Sequence, residues 1–160
     1  MTALTYAPGM TTGPLPTGPG PEAITRTIVE LYPATDVVEA LAATFFSLDP
    51  ETHWPNFATI VTTDEHDDGT PSNLSRPGVF RLNLGVSRAT FERLVGSLAE
   101  PDYAAFDQLL PHPVYARQLW ISILNPSEAT FQDIVLPLLA EAHDRLADQR
   151  TRHAAGKAAG

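Results

Sequence analysis

The chain of 160 residues contains no cysteine. That absence removes disulfides, thiolate metal sites and cysteine nucleophiles together, and it leaves the redox character of the compartment open. Positive charge is scarce as well: ten Lys and Arg stand against nineteen Asp and Glu, for a net charge of −9. Lys157 is the lone lysine. An acidic body repels phosphate backbones and anionic headgroups, so broad nucleic-acid binding is disfavoured. Arg76, Arg81, Arg88, Arg93 and Arg117 nevertheless gather mid-chain, where a local basic patch could form. No apolar run approaches the roughly 20 residues of a spanning helix, and the N-terminus lacks a signal peptide's charged start and apolar stretch. The expected setting is a soluble, cytoplasmic protein with no membrane partner. Also missing are G-x-G-x-x-G, G-x-x-x-x-G-K-[ST] and G-x-S-x-G, so no cofactor is expected and a serine nucleophile has no support.

What is present is an ordinary globular balance, with 43% hydrophobic and 18% charged residues. Residues 1–20, with the run TTGPLPTGPG, read as a flexible Pro/Gly-rich arm. Residues 21–150 read as a single α+β domain, and 151–160 as a disordered Ala/Gly-rich tail. Inside the domain, Pro21 and Glu22 suit a first helical turn, and Ile24, Ile28 and Leu31 follow at helical spacing. Val37-Val38, Thr44–Phe46 and Phe57–Thr63 are strand-like. The polar stretch Asp64–Pro77 reads as a loop. Val79–Leu84 alternates, with Phe80, Leu82 and Leu84 on one side and Arg81 and Asn83 on the other. Ser87 caps a helix striped by Phe91, Leu94, Val95 and Leu98. Leu119–Leu124 forms the last strand. Ser127 opens a final helix whose stripe is Phe131, Ile134, Val135, Leu138, Leu139 and Ala142, with Pro137 expected to kink or split it. The order α-β-β-β-β-α-β-α predicts an α+β fold, a mainly antiparallel sheet with helices on one face and the other face free.

This order and several of its residues resemble a domain-of-unknown-function family related to the MmcQ/YjbR-like proteins. The residues that carry the resemblance are Phe45-Phe46, Phe57–Val61, Arg76–Gly85, Pro111–Tyr115, Trp120 and Leu124–Pro126. It spans roughly Glu22 to Arg150. It implies a compact domain of the double-wing kind, a shape sometimes compared with DNA-binding domains, and occasional residence among antibiotic-biosynthesis genes. It implies no agreed catalytic activity and carries over no catalytic residues.

The richest stretch is Leu110–Pro126, where a Pro-braced turn with His112, Tyr115 and Arg117 runs into the strand of Trp120. If that strand neighbours Val79–Leu84, then Arg81, Asn83, Trp120 and Ser122 share a face, with His112 and Tyr115 at its edge and His53-Trp54 able to roof it. An aromatic wall with a guanidinium, an amide and an imidazole suits a small polar-aromatic ligand. Arg81 is expected to grip a carboxylate or enolate in a bidentate fork, and His112 to move protons near neutral pH. His112 and Arg81 are thus the candidate catalytic pair. Asn83, Tyr115, Trp120, Ser122, Arg117, His53 and Trp54 are the candidate ligand contacts. The plainer reading has Trp120 in the core, Arg81 solvated and His112 pinning its turn through a backbone hydrogen bond.

Asp64, His66, Asp68 and Gly69 fall on positions of a calcium loop, but the twelfth position is Ser75 where a bidentate Glu is needed. A solvated acidic loop is expected there, and no metal. The function expected from all this is small-molecule binding, with a cofactor-independent enzyme of specialised metabolism (a cyclase, isomerase or lyase) as its catalytic form. The alternative is a non-catalytic interaction module for a protein or, less favourably, nucleic acid. Oligomeric state is not legible.

Overall fold

The structure, a computed structural model, describes residues 14–159, so most of the Pro/Gly-rich arm lies outside the described residues. Helix α1 (Pro21–Leu31) begins at a proline, which gives up no hydrogen bond in a first turn, and turns Ile24 and Ile28 into the core. Leu31, expected in that stripe, is exposed, because the helix ends there and Tyr32 takes the packing position. Strands β1 (Asp36–Ala40) and β2 (Ala43–Ser47) form a hairpin through Leu41 and Ala42. Both turn residues adopt positive φ, a backbone state that two-residue hairpins need and that leucine and alanine seldom take. Then come β3 (Asn56–Val61), β4 (Arg81–Gly85), helix α2 (Arg88–Leu94), the two-residue β5 (Leu110–Pro111) and β6 (Trp120–Leu124). The sheet is antiparallel in the order β1-β2-β3-β4-β6-β5. The α+β architecture expected from the element order is the observed one, with β5 as its addition.

Alternation sorts the sheet into two faces. Phe46, Ala58, Ile60, Leu82, Leu84, Ile121 and Ile123 meet α1 and the C-terminal helix in one continuous apolar core. That helix runs as α3 (Glu128–Thr130), a π-helical turn (Phe131–Val135) and α4 (Leu136–Ala159). Ser127 caps it by accepting from the Thr130 amide. Pro137 cannot donate to the carbonyl four residues back, and the preceding turn widens so that the Leu136 amide reaches the Phe131 carbonyl. The widened turn keeps Phe131 and Val135 on the core face but swings Ile134 out, contrary to the expected stripe. The helix is continuous to Ala159, past the Arg150 at which the sequence reading ends the domain.

The opposite face is not free. Segments 62–80 and 101–119 fold over it and bury a second, smaller cluster of Ala43, Val61, Leu74, Val79, Leu110 and Leu124. The described end of the N-terminal arm is also docked. The Thr17 carbonyl accepts from the Glu128 amide, and a Cβ at Gly18 would overlap the Pro126 carbonyl, so only glycine fits there.

Candidate functional site

The register of the sheet builds the site. Thr59 lies opposite Asn83, which lies opposite Ser122, on three adjacent strands and on the face away from the helices. Arg81 and Trp120 extend the same face toward its two ends. The Trp120 ring lies against Gly85, where an added Cβ would sit 3.3 Å from it, so the glycine lets the indole cross β4. A register shift between β2 and β3 sends Phe57 into the helix-side core and turns Asn56 to the other face.

Arg81 is buried, and its charge is met from within. Nη1 and Nη2 donate to the two carboxylate oxygens of Asp67 at 2.7 and 2.9 Å, and Nη1 also donates to Ser72 Oγ at 2.9 Å. Nε donates to Asn83 Oδ1 at 2.9 Å. Asn83 Oδ1 also accepts from Ser122 Oγ at 2.8 Å, while Asn83 Nδ2 donates to Thr59 Oγ1 at 3.0 Å. The side chains of Arg81 and Asp67 are 1% and 0% exposed, so this ion pair is shut away from water. The fork expected for a ligand's carboxylate is therefore filled by Asp67. The acidic loop is correspondingly not a uniformly solvated one: a short turn (Asp64–His66), capped by Thr63, carries Asp67 inward, and Asp64 accepts from the Leu74 amide.

His112 follows β5 and is buried. Its Nδ1 accepts from the Val114 and Tyr115 amides, both at 3.0 Å. Backbone amides only donate, so Nδ1 offers its lone pair and the ring proton resides on Nε2. Burial, then the nearby Arg81 guanidinium, push the imidazole down to about pKa 3, with Asp67 opposing. His112 is a neutral hydrogen-bond donor at physiological pH. The sequence reading, which has it moving protons near neutrality, is corrected by its burial.

Around these groups the structure leaves a cavity of about 420 Å³. Arg81, Asn83, His112, Tyr115, Trp120 and Trp54 line it, six of the nine residues nominated from the sequence. Ser122 lies beneath it, bound to Asn83. His53 turns away to pair with Asp36 at 2.8 Å. Arg117 is exposed on the turn before β6. The remaining lining comes from Phe45, Asn56, Thr59, Val61, His66, Asp67 and Gln118, which no local pattern identified. His66 meets the Phe45 ring edge-on, and its Nε2 lies 2.9 Å from the Leu41 carbonyl, to which it donates. A larger groove of about 520 Å³ lies between the Asp49–Pro55 turn and the end of α4, and Trp54 borders both spaces. That groove is lined mainly by exposed residues, and its Arg150 is spent on Asp49 at 3.5 Å. The inner cavity is the better-built site.

No helix among the described residues is long and apolar enough to cross a membrane. The model of a family of unknown function, DUF6194, matches residues 19–155, and the chain belongs to that family. No curated protein and no solved structure matches the chain.

Proposed function

From its place in a family without an assigned activity, we propose that this protein binds a small, planar, largely apolar molecule in the cavity between the sheet and segments 62–80 and 101–119. One observation carries the proposal. Phe45, Trp54, Tyr115 and Trp120 surround a space of about 420 Å³ whose polar floor is already neutralised by the Arg81–Asp67 pair. Such a volume falls in the range of small-molecule sites, about 300–1,000 Å³, and aromatic walls with a few fixed polar groups are typical of them. In the catalytic form of this reading, a cofactor-independent cyclase, isomerase or lyase, neutral His112 polarises a carbonyl by donating from Nε2. Kinship with the MmcQ/YjbR-like proteins and a cytoplasmic address belong to the same proposal.

The test uses the protein's own reporters, because its two tryptophans both line the cavity. Planar small molecules are expected to quench Trp54 and Trp120 with saturable, micromolar binding. Trp120→Ala should weaken that binding at least about tenfold, the scale of losing one well-packed aromatic contact. A broad metabolite set that neither quenches nor raises the melting temperature would remove the reading. The interaction-module alternative draws on the rim, where Trp54 is 67% and Tyr115 49% exposed. It predicts that Trp54→Ala abolishes capture of a protein partner while small molecules leave the fluorescence unchanged.

A further inference from the structure

We infer that the cavity selects an uncharged ligand carrying a hydrogen-bond-accepting oxygen, such as the carbonyl of an aryl ketone, quinone or lactone, and that His112 Nε2 is the donor that reads it. The inference deepens the function proposed above and rests on it.

The ground is the hydrogen-bonding capacity the network leaves over. Both lone pairs of Asn83 Oδ1 are taken, by Arg81 Nε and Ser122 Oγ. The Asp67 carboxylate is bound to Arg81, and its side chain is 0% exposed, so no ligand atom reaches it. Thr59 Oγ1 already accepts from Asn83, which leaves its hydroxyl proton to donate. His112 Nδ1 is occupied by two amides. The proton on Nε2 has no partner among the described residues. Thr35 Oγ1 is the buried side-chain polar atom left unpaired among the described residues, so His112 Nε2, equally unpaired, opens on the cavity that its residue lines. Among Arg81, Asn83, Thr59 and His112, the protons left over are those of His112 Nε2 and the Thr59 hydroxyl, so this part of the wall offers donors.

The sign of the site follows. A carboxylate would bring a second negative charge beside Asp67, with Arg81 already neutralised, and would lose its hydration. An ammonium would find donors in front of it, since Asn83 Oδ1 and His112 Nδ1 are already taken and the Asp67 carboxylate is closed off by Arg81. A hydrocarbon would fill the volume but leave His112 Nε2 dry and unpaired. A neutral oxygen acceptor on a planar ring avoids all three costs.

The experiment titrates the full chain, by tryptophan quenching and by calorimetry, with matched planar probes. These are 9-fluorenone against fluorene, 1,4-naphthoquinone against naphthalene, and the charged fluorene-9-carboxylate and 9-aminofluorene. The carbonyl compounds are expected to bind about ten- to hundredfold more tightly than their hydrocarbon partners, as expected where a buried donor is otherwise left unpaired. The charged probes should bind more weakly than fluorenone. Hydrocarbons binding within twofold of their carbonyl partners, or the carboxylate or amine binding most tightly, would overturn the inference and leave the cavity a binding site. If no probe binds, the inference and the function beneath it both fall. His112→Asn adds a residue-level readout, since an Asn side chain can still accept from amides two residues on while withdrawing the donor from the cavity. It should shrink the fluorenone-to-fluorene ratio about tenfold, and an unchanged ratio would overturn the role of His112. The probe series on the unaltered chain decides the ligand class even if that variant fails to fold.

Discussion

The two faces of the sheet solve burial by opposite means. Toward the helices, Ile24, Phe46, Leu82, Ile121 and Val135 pack a wholly apolar core in which any hydrophobic side chain of suitable size would serve. Toward segments 62–80 and 101–119, the same strands bury Arg81, Asn83 and Ser122, each at 1% exposure. The buried polar groups on that side are answered one by one: Arg81 by Asp67, Asn83 by Thr59, and His112 Nδ1 by two amides of its own turn. The apolar face is tolerant and filled, whereas the polar face is exacting and leaves a cavity. A protein that needed only to fold would gain little from the second arrangement, since buried ion pairs seldom stabilise more than a packed apolar substitute.

That contrast can be broken most sharply at Asp67. Asp67→Ala strands a buried guanidinium and should cost about 3–5 kcal/mol, read as a fall in the urea midpoint. Replacing the pair together, Arg81→Met with Asp67→Leu, should recover most of the loss and still impair ligand binding. A cost for Asp67→Ala no larger than a surface substitution would show that the ion pair is not closed in solution. On the helix face, Leu82→Ala should cost about 2–5 kcal/mol through cavity formation. The folded fraction of Leu82→Ala should keep its ligand affinity, because the lost side chain points away from the site. If affinity falls with it, the two faces are not independent.

The subtlest separation is by pH. The unfolded chain protonates His112 near pH 6.5, but the folded chain does so only near pH 3. Between those values the unfolded state holds the extra proton, so stability rises with pH across the window and is lost on acidification. At 1.36 kcal/mol per pKa unit, the loss approaches about 5 kcal/mol at the acid end of the window. Chemical denaturation from pH 7 to 4 should show this slope, and His112→Asn should flatten it. Asp36, held low first by its bond to His53, and Asp49, held low first by the Glu51 amide, destabilise the fold only when they protonate, below about pH 4. A slope unchanged in the variant above pH 4 would mean that water reaches His112.

Much of the fold was legible because its signals are local. Alternation in β4, helical spacing in α1 and the Ser87 and Ser127 caps each concern residues within a few positions of one another. The hairpin turn at Leu41-Ala42 carries no glycine or asparagine to announce its positive φ, so its geometry was not. The site was half legible. His112, Tyr115 and Trp120 sit within one stretch, and the period of β4 places Arg81 beside Asn83 on one face. Asp67 looked like one more acid in a polar run, and nothing near it in the chain marks it as the partner of Arg81, fourteen residues on. Phe45, Thr59 and Val61 carry only an outward position on a strand, which is equally the mark of ordinary surface.

By itself, then, the sequence determined the element order, the antiparallel sheet, the helix-side core and the absence of thiol chemistry. These follow from periodicity and residue type, which act over one or two turns of chain. The tertiary structure decided that the second face is covered, that Arg81 is neutralised from inside and that His112 stays uncharged. Each of these depends on which distant segment folds over the sheet, and burial and charge pairing are properties of that closure, not of any residue before it.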